Sequence, residues 1–144
     1  MTEVTFHFNV PDKLRYACRL LRKTQASGVR VGVLADADTL RALDVALWTF
    51  SAPDFVAHCS VDASVAMRAA SPIVLASDGQ VLDERPVWVH LGQALPSGFE
   101  RAERLIELVS ADPADRAQAR ERWRHYQARG YTIQTHDAAD HVQR

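Results

Sequence analysis

Apolar and polar residues alternate along the chain with two different periods. In residues 4–10 (VTFHFNV) apolar side chains occupy every second position, which predicts a half-buried strand. In residues 11–28 they recur three and four positions apart opposite basic residues, which predicts an amphipathic helix that ends at Gly28. Residues 29–35 (VRVGVLA) form a continuous apolar run typical of a buried strand, and a second helix is predicted from Asp38.

The middle of the chain carries weaker signals. Residues 51–72 show no convincing long element, although residues 62–70 (DASVAMRAA) have the pattern of two helical turns. Two strands are predicted at 72–77 and 86–91, joined across the turn sequence SDGQ. Residues 104–110 (RLIELVS) fit either a helix end or a strand, and their place before a strong helix start favours a strand.

The last helix has the clearest signals. Asp112 is a good N-terminal cap, Pro113 suits the first helical position, and Asp115 adds a favourable charge to the first turn. Gly130 is a fitting stop, and residues 131–135 (YTIQT) predict a short closing strand.

Strands that alternate with helices predict a three-layer αβα fold, Rossmann-like, around a mainly parallel sheet. A chain of 144 residues that is 47% apolar fits a single domain over 1–144, with residues 136–144 as a frayed polar tail. The chain contains no run of about 18 apolar residues, the length that is needed to span a bilayer. The N-terminus lacks the features of an export signal, so we expect a cytoplasmic protein without a membrane partner.

Motifs for catalysis and cofactor binding are missing from the sequence. Neither GxGxxG nor GxxxxGK[ST] occurs, and the six histidines show no metal-ligand spacing. Asp36 and Asp38 follow a predicted strand, but a helix cap at Asp38 and a solvated turn at Asp36 explain them better than a metal site does. His58 and Cys59 are adjacent on a strand and should point to opposite faces. We therefore expect no cofactor, no metal and no catalytic residue.

Positive charge is concentrated near the C-terminus. Residues 116–129 hold five arginines against one acid, in a chain of formal net charge -1. On a helix, a sector of about 100° contains Arg116, Arg120, Trp123, Arg124 and Gln127. One interpretation is a solvated basic helix with Trp123 at the edge of the core. The other is an anion-recognition face, in which guanidinium groups bind carboxylates beside an apolar shelf.

Two stretches resemble a known family, the chi subunits of the bacterial DNA polymerase III clamp-loader complex. Residues 43–58 (LDVALWTFSAPDFVAH) are similar to the family's Leu-Asp-x-Ala-Leu-Trp segment, followed by Phe-Val-x-His. Residues 119–134 (ARERWRHYQARGYTIQ) are similar to its C-terminal helix, Arg-Glu-Arg-aromatic-basic-x-Tyr, which ends in Gly and an aromatic residue. The order and spacing of the two stretches agree with the family.

The resemblance implies a three-layer α/β adaptor in DNA replication without catalytic activity of its own. Such proteins bind the acidic C-terminal tail of single-stranded DNA-binding protein, which ends in phenylalanine. They connect it to the clamp loader through the psi subunit in a 1:1 heterodimer, so that nucleic acid is reached only indirectly. Matched position by position, the tail site comprises Val109, Arg116, Arg120, Trp123 and Arg124.

The first stretch implies a second surface, where the family binds psi or, in some members, an accessory helicase. Its residues are Trp48, Pro53, Phe55 and Val56; the alternative is that Trp48 and Phe55 close the core. Two other functions stay open on sequence grounds. One is a small α/β enzyme that acts on an anionic metabolite, and the other is direct single-strand nucleic-acid binding through Trp123, Tyr126 and Tyr131.

Overall fold

A single sheet of parallel strands forms the centre of the computed structural model, which describes residues 1–49, 57–82 and 85–139. Its seven described strands are β1 (Glu3–Val10), β2 (Val31–Leu34), β3 (His58–Ser60), β4 (Ile73–Ala76), β5 (Val87–His90), β6 (Arg104–Ser110) and β7 (Ile133–Asp137). They pair in the order β3-β4-β2-β5-β6-β1-β7, and every pairing among them is parallel. This confirms the predicted α/β class with a parallel, Rossmann-like sheet.

Helices cover both faces of the sheet. Four α-helices lie within the described residues: α1 (Lys13–Ala26), α2 (Ala37–Thr49), α3 (Val65–Ala70) and α4 (Pro113–Ala128). One buried apolar cluster joins α1 and α2 to one face, and a second joins α4 to the other. Adjacent strand residues point to opposite faces. On β6, Ile106 and Leu108 therefore pack under α1, while Leu105 and Val109 pack under α4. None of these helices is long and apolar enough to cross a membrane.

Caps explain where the helices begin and end. Asp12 accepts a hydrogen bond from the backbone N–H of Arg15 and starts α1, and Gly28 follows the helix with φ +79°. The predicted cap of α2 at Asp38 is wrong. Asp36 accepts from the backbone N–H and hydroxyl of Thr39, whereas Asp38 lies in the first turn and pairs with Arg41. The Thr39 hydrogen bonds hold the pKa of the Asp36 carboxyl below its usual value.

The middle of the chain departs from the sequence expectations in two ways. The short strand β3 was not predicted, because three residues give too little periodicity to detect. The strands β4 and β5 do not pair with each other, since β2 lies between them. His58 and Cys59 lie on opposite faces of β3 as predicted: Cys59 belongs to the α4-side cluster, and His58 contacts α2.

The C-terminal elements follow the sequence signals closely. Asp112 caps α4 through the backbone N–H of Asp115, and Gly130 follows the helix with φ +81°. The closing strand β7 pairs with β1 and extends to Asp137, so His136 and Asp137 belong to the sheet rather than to the expected frayed tail. Residues 140–144 of that tail lie outside the described residues.

Candidate functional site

Three arginines form a row along the outer surface of α4. Arg116, Arg120 and Arg124 are spaced one helical turn apart, with a rise of about 6 Å per step, and all three are exposed. We call this row the α4 ridge. Arg124 pairs with Glu121, whereas Arg116 and Arg120 form no ion pair with any residue that the structure describes. The ridge therefore presents guanidinium groups that are available to an anionic ligand.

An indole borders the ridge on its core side. Trp123 is half-buried and packs against the α4-side cluster, with its ring 5.1 Å from that of Phe6. The predicted position of the indole, between core and cationic rim, is confirmed. Val109 belongs to the same cluster but is only 3% exposed, so the accessible part of the apolar wall is Trp123.

A buried charged network holds the inner side of α4. Glu107 on β6 is fully buried, and its carboxylate accepts from Arg122 Nε at 3.1 Å and from the Tyr126 hydroxyl at 2.5 Å. His90 Nδ1 lies 2.6 Å from its other oxygen. Burial by itself raises the pKa of the Glu107 carboxyl, but His90, Arg122 and Tyr126 outweigh it, so the pKa lies below its usual value. This network fixes the rotation of α4 about its own axis.

A second anchor holds the start of α4. Asp115 accepts from the backbone N–H of Ser110 at 2.8 Å, and Lys13 Nζ lies 3.0 Å from its carboxylate. Burial raises the pKa of Asp115, yet the Ser110 hydrogen bond and Lys13 bring it below its usual value. Because Lys13 is the first residue of α1, this ion pair joins the N-termini of the two helices.

The role of Arg122 was not predicted from the sequence. Ala119 and Tyr126 lie on the buried side of α4, and at 100° per residue Arg122 falls about 60° from Ala119 and about 40° from Tyr126. That position predicts burial, and the structure shows Arg122 only 3% exposed. An arginine among inward-facing positions was the available signal that a buried acid lies opposite.

The second predicted surface is described only in part. Trp48 at the end of α2 is 54% exposed, and its ring lies 4.9 Å from that of His58. His58 Nε2 in turn lies 2.7 Å from Asp44 Oδ1. Val45, one turn before Thr49 on the same helix, is 63% exposed. The other three predicted residues, Pro53, Phe55 and Val56, lie outside the described residues.

A cleft of about 530 Å³ lies at the carboxyl ends of β2, β4 and β5. Its acidic and imidazole side chains already have structural partners: Asp36 caps α2, Asp78 caps the 3-10 turn Gly79–Val81, and His90 contacts Glu107. Within the described ranges, no group of three His, Cys, Asp or Glu residues is placed to hold a metal ion. The α4 ridge is therefore the better candidate for function.

Comparison with known proteins identifies the family. The sequence model of the family described as DNA polymerase III chi subunit, HolC, matches residues 1–134. A curated relative, DNA polymerase III subunit chi of Pseudomonas aeruginosa, is 30% identical over 142 residues, which cover 94% of this chain and 96% of the relative. The chain therefore belongs to the chi subunit family of DNA polymerase III and has a role in DNA replication.

Proposed function

We propose that this chain is a non-catalytic adaptor that works in the cytoplasm and grips the acidic C-terminal tail of single-stranded DNA-binding protein. The observation that carries the proposal is the α4 ridge of exposed arginines beside the half-buried indole of Trp123. Acidic side chains of the tail pair with the guanidinium groups, which bind carboxylates with charge-assisted hydrogen bonds. We expect the terminal phenylalanine ring to pack on Trp123 and its free carboxylate to pair with an arginine of the α4 ridge.

The rigid support of α4 favours this function. Arg122, Tyr126 and Asp115 fix the inner side of the helix through the buried contacts described above. The outward arginines are therefore presented on a surface whose backbone is already ordered before the ligand arrives. Binding then has to order only the arginine side chains and the peptide, which lowers the entropic cost of association.

Titration calorimetry with a peptide of the tail sequence tests the proposal. Arg120→Ala and Arg124→Ala should each weaken binding by about 1.5 to 3 kcal/mol, roughly ten- to hundredfold, because each removes a charge-assisted contact. Arg124→Ala should have the smaller effect, since Glu121 already competes for that guanidinium. Removal of the last Phe from the peptide should be as damaging as loss of one arginine.

Two controls make the result specific. Arg19→Ala removes the same charge from the exposed side of α1 and should leave tail binding unchanged. An oligonucleotide of equal charge tests the competing idea that the Trp123 face stacks bases. If both ridge variants bind the peptide like the parent, the α4 ridge is only a solvated helix surface and the adaptor function of this face is wrong.

We also propose that the exposed side of α2 binds the psi subunit of the clamp loader, or an accessory helicase, through Trp48 with Pro53, Phe55 and Val56. The support is the exposed indole, because aromatic residues are favoured anchors at interfaces. Trp48→Ala should weaken a pull-down of psi by about 2 kcal/mol or more and leave tail binding intact. His58→Ala sharpens the test, because it removes the ring that Trp48 contacts but keeps the Trp48 side chain itself. Unchanged capture of psi by both variants would refute this surface.

A further inference from the structure

Among the helices and strands that the structure describes, α1 has the largest excess of positive over negative residues. Its sequence, KLRYACRLLRKTQA, contains five cations and no acid. Three of them, Arg15, Arg19 and Lys23, are spaced four residues apart and are exposed. We call this row the α1 ridge; it extends about 12 Å along the helix. Ala17, Cys18 and Leu21 pack against the sheet on the opposite side, so the ridge points away from the core.

Ion pairing within the described residues does not explain the α1 ridge, and only Lys23, in the last turn of α1, is placed to stabilise the helix by its charge. None of its three side chains pairs with a carboxylate among the residues described here. The carboxylate of Asp12 is engaged as the helix cap, and Lys13 is committed to Asp115. Like charges four residues apart repel one another and destabilise a helix, so this spacing works against α1 rather than for it.

The neighbours of the α1 ridge indicate what it can bind. On the α4 ridge the residue seven positions after the first arginine is Trp123; on α1 the same place is taken by another cation, Arg22. The one aromatic residue of α1, Tyr16, is turned toward β1, where its hydroxyl lies 2.5 Å from His7 Nδ1. Tyr16 lies three residues before Arg19 and so borders the row, but its contact with His7 holds it against β1. A cationic row whose aromatic neighbour is held in this way suits the repeating phosphates of a nucleic-acid backbone. It does not suit a peptide that ends in an aromatic ring.

We propose that the α1 ridge directly contacts the phosphate backbone of the single-stranded DNA that is coated by the tail-bearing protein, whereas the family resemblance implies only the indirect route through the tail. The choice of single-stranded DNA rests on the proposed function. Once the tail is bound, the coated strand is present at high local concentration, so a few phosphate contacts suffice even though they are weak alone. The helices lie on opposite faces of the sheet, which leaves the α1 ridge open while α4 is occupied.

Matched triple variants of the full chain test the proposal. One replaces Arg15, Arg19 and Lys23 by glutamine, and the other replaces Arg116, Arg120 and Arg124 by glutamine. Both remove three cations at the same helical spacing, so a difference between them is not an effect of net charge. The probes are a fluorescent oligothymidylate, measured by anisotropy at two salt concentrations, and the acidic tail peptide. For three phosphate contacts, the parent should bind the oligothymidylate about twentyfold more weakly when salt rises fourfold.

We expect the α1 variant to bind oligothymidylate roughly tenfold or more weakly at low salt, with a flatter salt dependence, and to keep full affinity for the tail peptide. The α4 variant should show the reverse. Oligothymidylate binding by the α1 variant at parental strength would overturn the proposal. Equal binding of a duplex would overturn the assignment to single strands, and equal competition by an acidic peptide without a terminal Phe would overturn the assignment to nucleic acid. If instead the α4 variant keeps its affinity for the tail peptide, the proposed function fails while the α1 result stands.

Discussion

The two cationic ridges have the same spacing but different surroundings. Each consists of three cations at intervals of four residues on the outward side of a helix. The α4 ridge borders a half-buried indole, whereas the α1 ridge borders a further cation, Arg22, and Tyr16, whose hydroxyl contacts His7 of β1. We infer that charge spacing favours polyanions on both surfaces and that the adjacent residues decide which polyanion fits. A cationic helix cannot be assigned a ligand from its charge alone.

The support beneath the two helices also differs. Three apolar residues of α1 are buried against the sheet, whereas α4 buries Arg122 and Asp115 together with Ala119 and Tyr126. A buried arginine and carboxylate impose one arrangement, because any rotation of the helix would leave a charge unpaired in the core. An apolar contact tolerates small rotations better. We infer that α4 is the more strictly oriented of the two, which suits recognition of a defined peptide end.

The largest expected effect separates two arginines of the same helix. Arg122→Ala should lower the free energy of unfolding by about 3 to 5 kcal/mol, because the buried charge of Glu107 loses one partner and is left only partly compensated, by His90 and Tyr126. Arg120→Ala, at an exposed position two residues earlier, should change it by less than about 0.5 kcal/mol. Urea denaturation measures both. Equal stability of the two variants would show that the buried network does not orient α4.

Trp123→Ala should affect tail binding in a way that the arginine variants do not. Loss of the indole should cost about 2 kcal/mol or more, and the loss should persist at high salt because it is apolar. The effect of Arg120→Ala should shrink as salt screens the exposed charge. Calorimetry at two salt concentrations compares them. The affinity of Trp123→Leu for the tail peptide should lie between those of Trp123→Ala and the parent, because leucine keeps an apolar side chain over Phe6. Parallel salt dependence of the Trp123→Ala and Arg120→Ala effects would contradict the separate roles of ring and cation.

Lowering the pH should reduce the free energy of unfolding that Glu107 contributes beneath α4, by less than the amount lost in Arg122→Ala. The folded pKa of Glu107 is lowered, so its stabilisation is fully present above the unfolded value of about 4.3. It is lost as the pH falls through the lower folded pKa. Unfolding free energies of the parent and Glu107→Gln, measured from about pH 6 to about pH 3, should converge as the pH falls. Some pH dependence should remain in Glu107→Gln, because the pKa values of Asp115 and Asp36 are lowered too. A constant difference between the two proteins would contradict this account.

The smallest expected effect concerns the α1 ridge itself. Arg19→Gln removes the repulsion of Arg19 with Arg15 and with Lys23, so it should raise the free energy of unfolding by about 0.4 to 1 kcal/mol. Added salt should reduce the gain. Arg120→Gln should gain less, because Glu121 already offsets part of the repulsion on α4. Thermal melts at low and high salt compare the two, and a destabilised Arg19→Gln would show that Arg19 has a structural role in α1.

Local signals carried most of the fold prediction. The caps of α4 at Asp112 and Pro113 and the stop at Gly130 are read from the residues themselves, because each acts within one turn of the helix. The first strand and α1 were predictable for the same reason, from their periodicity. The cap of α2 was predicted wrongly because Asp36 and Asp38 are equally suitable caps by their chemistry. Only the path of the chain after β2 selects Asp36.

Long-range pairing decided what the sequence could not. The position of β2 between β4 and β5 depends on contacts between residues far apart in the chain, which no local pattern encodes. The burial of Arg122 likewise depends on Glu107, which contacts it from β6, the strand that precedes α4. Helical spacing groups the exposed arginines of α4 and separates them from Arg122, but the acid that pairs with Arg122 is known only from the sheet.

By itself, the sequence determined the α/β class, the ends of α4, the grouping of Arg116, Arg120 and Arg124 with Trp123, and the resemblance to the chi family. These follow from periodicity, capping and motif spacing, which act over a few residues. The tertiary structure alone decided which acid pairs with the buried Arg122, what Trp123 rests on, and that the cationic rows of α1 and α4 lie on opposite faces of the sheet. The burial of a residue and the face of the sheet on which it lies are properties of the packed chain. The free energy of a charge depends on which partners and how much water the fold leaves around it.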